Sequence, residues 1–216
     1  SEDERLEMLQ RVREMFFTAY DGYMRFAFPA GELRPITCRP GNFDLIKIDA
    51  VTLIDTLDTL AIMGNGTEFA RAVREVIRHV DFDVDVNVSV FETTIRLLGG
   101  LLSAHLFAID PELQLMPAGS YKGELLGLAR DLGDRLLPAF DTRTGIPFGT
   151  VNLKYGVPRG ESEVASTAGA GTLTMDFFVL SQLTDDWTYF EAADEAVRAL
   201  YSRRSDVGLV GKDIHI

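Results

Sequence analysis

The sequence is poor in cysteine, histidine and positive charge. It has one cysteine, Cys38, and three histidines, His79, His105 and His215. A single thiol excludes an internal disulfide, and the few Cys and His residues lack zinc-ligand spacing. Neither a Ser-His-Asp nor a Cys-His arrangement is indicated, and His105 is expected to be a core or rim residue. Against 33 acidic residues there are 21 Lys and Arg, a net charge of −12. That leaves no basic footprint to neutralise phosphates and excludes a nucleic-acid partner. A long charge-free apolar run is also absent. The longest apolar stretch, Val88 to Ala108, contains Glu92, Arg96 and Gly99-Gly100. Each central charge costs roughly 2.5–3.5 kcal/mol on insertion scales, so this stretch is expected to be a buried helix, and no transmembrane segment is expected. The opening Ser1-Glu2-Asp3-Glu4 is acidic with no apolar segment behind it, so it does not resemble a leader; a chain whose leader had been removed would look the same.

The chain has 216 residues, 46% of them hydrophobic, enough for one domain with a sizeable core. The patterning is helical. Leu6, Leu9, Phe16, Tyr20 and Tyr23 recur at helical spacing and predict a first helix over 3–26. Pro29, Gly31, Pro35, Pro40 and Gly41 predict a loop. A second helix is predicted over 46–63, stopping at Gly64-Asn65-Gly66, and a third over 68–80 with Thr67 as its cap. The apolar helix follows at 88–108, then helices at 121–137, 166–184 and 186–203. A short strand is predicted at 148–153. Gly208 to Ile216 alternates like the first strand of a hairpin with no partner, which implies that the fold continues past Ile216. Apolar helices alternate with amphipathic ones, as in the inner and outer rings of a toroid.

Within the apolar helix, Glu92, Arg96, Gly99, Gly100 and Ser103 fall on one stripe. A buried unpaired charge is very costly, so the stripe is expected to face a polar cavity, with the glycines leaving room for something to approach. Two readings stand. Glu92 is a catalytic carboxylic acid with the Arg96 guanidinium beside it, or the two form a structural ion pair. A glycosidic acid needs a second carboxylate, about 6.5–9.5 Å away in inverting enzymes. Asp55 and Asp58 could be that partner, a hard-cation site, or a polar network holding helix ends. Thr167 to Thr172 is rich in small residues but lacks the Lys of a phosphate loop; it is expected to permit close packing or to line a cavity floor. Asn65-Gly66-Thr67 and Asn87-Val88-Ser89 are N-glycosylation sequons, the first in a predicted surface loop, the second leading into the buried helix and expected to be unused.

The run from Leu53 to Gly64, LIDTLDTLAIMG, and the run from Ser89 to His105, SVFETTIRLLGGLLSAH, resemble the two long signatures of glycoside hydrolase family 47, the class I α-mannosidases. Glu32 to Cys38, Gly41-Asn42-Phe43-Asp44, Val151-Asn152-Leu153, Ser166 to Thr172 and Arg204 to Gly211 are similar to its ER degradation-enhancing branch. The resemblance implies an all-α (α/α)7 barrel, of which residues 1–216 supply roughly the first half, about seven helices. It implies inverting hydrolysis of α-1,2-linked mannose from high-mannose N-glycans on misfolded glycoproteins in the endoplasmic reticulum lumen. It further implies Glu92 as general acid, Arg96 and Asn152 as sugar-binding residues, and Ca²⁺ at the barrel base with its ligand further along. The metal set and the remaining catalytic carboxylates have no counterpart in these residues. Cys38 matches the branch cysteine that bonds a distant cysteine and supports a disulfide-isomerase or thioredoxin-like partner. Ser166 stands where the branch usually has Cys. The same resemblance leaves open a non-catalytic, lectin-like binder of misfolded glycoproteins.

Overall fold

The computed structural model describes residues 1–216. Seven long helices and three two-stranded sheets make up the chain. Helix α1, Glu2–Phe26, opens with a capping box, in which Ser1 Oγ accepts from the Glu4 amide and Glu4 accepts from the Ser1 amine. These bonds satisfy amide donors that the first turn leaves unpaired. Only the last turns of α1 are buried, through Tyr20 and Tyr23, while Leu6 and Leu9 lie at the surface.

The loop predicted after α1 contains a hairpin, β1 Glu32–Arg34 with β2 Arg39–Gly41. Helix α2 is Val51–Ile62, five residues shorter at its start than the sequence predicts. Ile46, Ile48 and Ala50 are buried while Lys47 and Asp49 are exposed. The segment is a series of turns rather than helix: Lys47 and Ala50 take φ 56° and 59°, and the Ala50 amide donates to Pro29 O. The stop at Gly64 holds. Gly64 adopts φ 77°, its amide donates to Ala61 O and that of Asn65 to Leu60 O, the paired bonds of a Schellman end. Asn65, rather than Thr67, then caps α3, Gly66–His79, accepting from the Glu68 amide at 3.2 Å.

Helix α4 spans 90–109 and follows β3, Asn87–Ser89. It is α-helical over Val90–Thr93, widens to a π turn over Thr94–Leu98 and returns to α over Gly99–Ile109. Helix α5, Glu124–Leu136, continues through Pro138 as a 3₁₀ turn, Leu137–Phe140, instead of ending there. The predicted short strand is β4, Thr150–Asn152, antiparallel to β3. The helix predicted over 166–184 is divided. Strand β5, Val164–Ser166, leads to one helical turn at Thr167–Gly171, and α6 is Thr174–Thr184. Helix α7 is Thr188–Ser202. The terminal strand β6, Asp213–His215, pairs with β5, so the unpaired edge expected at the end of the chain is absent. Its partner comes from fifty residues upstream, which local alternation cannot reveal.

Helices α2, α4 and α6 are apolar around most of their circumference and pack in a row. Helices α3, α5 and α7 are amphipathic and lie behind them. This is the predicted alternation of an inner and an outer layer. One apolar cluster joins them through Leu53, Leu57, Leu98, Leu101, Leu132 and Phe177. Close approach between α2 and α4 depends on Gly100, where a Cβ would meet Ile54 Cγ2 at 2.9 Å and Ile54 O at 3.2 Å. Gly127 in α5 has open space around it. Gly100→Ala is therefore expected to destabilise by about 1–3 kcal/mol, and Gly127→Ala to stabilise by up to about 1 kcal/mol. Urea midpoints of the two variants check the pair, and equal shifts would contradict the α2–α4 contact.

Candidate active site

Glu92 lies in the first turn of α4. Ser89 caps that helix by accepting from the Glu92 amide at 3.3 Å, which fixes the backbone from which the carboxylate projects. One turn on, Arg96 Nε donates to Glu92 Oε2 at 2.8 Å, and the (i, i+4) pair survives the π turn. Arg96 also donates from its Nη1 to Asp55 Oδ2 of α2 at 3.1 Å. Its guanidinium carbon lies over the Phe43 ring, 4.9 Å from the centroid, within cation–π range. Glu92 Oε1 has no hydrogen bond within the protein.

Two cavities flank this ion pair. Glu92 lines one of about 190 Å³, with Phe91, Leu45, Phe148, Ser166 and Gly169 among its walls. Arg96 and Asp55 line the other, about 180 Å³, with Phe43, Gly31 and Thr52. A larger groove, about 460 Å³, runs beside Gly66 and Arg74 and has no carboxylate in its walls. The Glu92–Arg96 pair and Asp55 lie at the two smaller cavities.

The stripe predicted on α4 is real, but its glycines are filled by protein. Ile54 of α2 occupies the space over Gly100. At Gly99 a Cβ would meet Asp176 Oδ1 at 2.8 Å, so an acid of α6 lies where the sequence suggested room for a ligand. Ser103 donates to Asp58 Oδ2 at 3.3 Å, and Thr59 to Asp58 Oδ1. Asp55 and Asp58 thus belong to a polar network between α2 and α4, the third of their three readings. A guanidinium sits on Asp55, and no group of three or more His, Cys, Asp or Glu side chains is arranged to hold a metal. These residues do not fit a calcium site.

Burial raises the Asp55 carboxyl above its ordinary range. Arg96 opposes that rise, while Asp58 and Glu92 add to it. Arg96 is itself pushed up, first by its bond to Glu92. Burial lifts Asp176 to about 6, against the lowering effect of a backbone hydrogen bond.

Asn152 is spent on the protein. Its Nδ2 donates to Asp85 Oδ1 at 2.9 Å and to Asn87 Oδ1 at 2.8 Å, and its Oδ1 accepts from the amides of Lys154 and Tyr155. An amide side chain has two donors and two lone pairs, so nothing remains for a sugar. Asn152 also does not line the Glu92 cavity. It ties β4 to β3, the strand that leads into Ser89. The small-residue segment does both things expected of it. Gly171 packs against Leu200, and Ser166, Gly169 and Ala170 line the Glu92 cavity. Ser166 caps its own helical turn.

Cys38 is a free, exposed thiol at the tip of the β1–β2 hairpin. The cap on α3 uses Asn65 Oδ1 and leaves Nδ2, the atom a glycan would take, unbonded within the protein. His105 is buried against the Tyr121 hydroxyl at 2.7 Å, and burial lowers its pKa. Two residues were missed from sequence. Asp176 has no local signal, since its neighbour Gly99 is far away in the chain. Phe43 stood inside a quoted motif, but its partner is visible only in space.

The folded pKa of Asp176 lies above its unfolded value, so folding takes up a proton. The penalty is absent below about pH 4 and grows as pH rises through 6. Asp176→Asn should stabilise the protein by roughly 1–3 kcal/mol at pH 8 and by little at pH 4. Thermal unfolding at the two pH values measures this, and a pH-independent difference would contradict it.

The sequence model of glycosyl hydrolase family 47 matches residues 15–216. Alpha-mannosidase I MNS4 of Arabidopsis thaliana is 51% identical over 214 residues, covering 99% of this chain and 34% of that protein. ER degradation-enhancing alpha-mannosidase-like protein 2 of Homo sapiens is 48% identical over 207 residues, covering 96% of this chain and 36% of its own length. Among solved structures, the alpha-1,2-mannosidase from Trichoderma reesei superposes with a TM-score of 0.86 at 29% identity, over 96% of this chain and 44% of that one. The chain thus spans about a third of the length of these two curated relatives. Its inner and outer helical layers are roughly the first half of an (α/α)7 barrel. The chain belongs to glycoside hydrolase family 47.

Proposed function

We propose that the protein hydrolyses α-1,2-linked mannose from high-mannose N-glycans of misfolded glycoproteins in the endoplasmic reticulum lumen, with inversion. The observation that carries this reading is a half-buried carboxylate whose Oε2 is held by Arg96 and whose Oε1 is free, in the wall of a cavity. In that role Glu92 gives its proton to the glycosidic oxygen as the bond to the anomeric carbon breaks. A water attacks that carbon from the opposite face, and a second carboxylate takes the water's proton. Arg96 orients the donor, and its free Nη2 is available to a sugar hydroxyl.

The second carboxylate and the calcium ligand are assigned to the part of the barrel that residues 1–216 do not span, because these residues cover about a third of the relatives' length and Glu92 is the one acid lining its cavity. The names of the relatives support the glycan and the compartment. The exposed Cys38 suits a long-range or intermolecular disulfide and a thioredoxin-like partner, and Asn65 suits N-glycosylation. The lectin-like alternative draws on the same family names and uses the same cavity without bond cleavage.

Full-length protein incubated with a high-mannose glycoprotein should release mannose, and a calcium chelator should stop the release. Glu92→Gln should slow it by on the order of 10²- to 10⁴-fold. Undiminished release by Glu92→Gln removes the acid from its role. Glycan binding without release by the unaltered protein selects the lectin alternative.

A further inference from the structure

We propose that Phe43 is a positioning residue that holds Arg96, and through it Glu92, in register. This rests on the functional reading above and extends it to a side chain outside the ion pair. Two hydrogen bonds fix the Arg96 guanidinium at its edge, one to Glu92 and one to Asp55. Edge contacts leave the plane free to tilt. The guanidinium carbon of Arg96 sits over the Phe43 ring, 4.9 Å from its centroid, and this contact limits the freedom.

Phe43 is itself held firmly. Its carbonyl accepts from the amides of Ile46 at 3.0 Å and Lys47 at 2.8 Å, closing a turn over 43–47. That turn is tied to the site through Leu45 and packs against Gly31. Leu45 O accepts from the amide of Ser89, the residue that caps the helix turn bearing Glu92. On the other side Gly31, packed close to the Phe43 amide, accepts through its carbonyl from both the amide and the hydroxyl of Thr52, one helix turn before Asp55. A Cβ on Gly31 would meet Ile48 O at 2.9 Å, so the close approach of these two segments requires glycine. The segment therefore bridges α2 and the start of α4, and Phe43 is its only aromatic ring over Arg96. Leu45 lines the Glu92 cavity and Phe43 the Arg96 cavity, so one short turn contributes to both sides of the ion pair.

The test uses the full-length protein with Phe43→Leu and Phe43→Tyr, each alone and with Arg96→Lys. Thermal midpoints confirm that each variant is folded. Phe43→Leu should lower kcat/KM by roughly 2- to 30-fold, with the loss falling mainly on kcat because the proton donor is misaligned. Phe43→Tyr, which keeps a ring over the guanidinium, should recover most of it. In the Arg96→Lys background, which lacks a planar face, the Leu substitution should cost less. If the protein binds high-mannose glycan without hydrolysing it, the same series is read on Kd with the same ordering. Unchanged kcat and KM for Phe43→Leu in an active protein, or equal losses for Leu and Tyr, would overturn the proposal and leave the assignment of Glu92 intact. A wild-type protein that neither cleaves nor binds the glycan would overturn both.

Discussion

A half-buried guanidinium on an apolar helix organises the groups around it, since its bonds to carboxylates are charge-assisted and directional. Arg96 finds two carboxylates and a ring. Each comes from a different part of the chain: Glu92 from its own helix, Asp55 from α2 and Phe43 from the segment after the hairpin. The arginine is thus the point at which three stretches of chain are brought to a common geometry. Its helix accommodates this by widening to a π turn over Thr94–Leu98, a local irregularity common at functional sites.

Around that point the fold uses small residues to bring backbones close. Gly100 lets α2 reach α4, Gly99 receives the Asp176 carboxyl, and Gly169 and Ala170 line the cavity beside Glu92. The resulting space is small and walled by helix ends, short strands and the loop residues Leu45 and Phe148. Such walls are the kind of support that holds a catalytic group within the narrow tolerance proton transfer requires. Asn152 serves the same end from a distance. Fully hydrogen-bonded, it ties β4 to β3, and β3 delivers Ser89 to the start of α4.

Much of this was legible in sequence because it is local. The helices follow from apolar spacing, the stop at Gly64 from its left-handed conformation, and the Glu92–Arg96 pair from a separation of four. The inner and outer layers follow from which helices are amphipathic. What was not legible depends on distant partners. The glycines of α4 looked like space for a ligand because Ile54 and Asp176 are invisible from their neighbours in sequence. The terminal strand looked unpaired because Val164–Ser166 lies far upstream. Asn152 was given a sugar by family resemblance, while its side chain is satisfied by Asp85 and Asn87. The late start of α2 follows from the positive φ of Lys47 and Ala50, which their residue types do not announce.

Proton donation requires Glu92 Oε1 to face the bond to be broken while Oε2 stays with Arg96. The most direct measurement is a crystal structure of the full-length protein with a non-hydrolysable thio-linked α-1,2-mannobiose. The account predicts the bridging sulfur at close contact with Glu92 Oε1, about 3–3.5 Å, with the Arg96 pair unbroken. A disaccharide seated away from the Glu92 cavity, or bound there with Oε1 turned from the linkage, would contradict it.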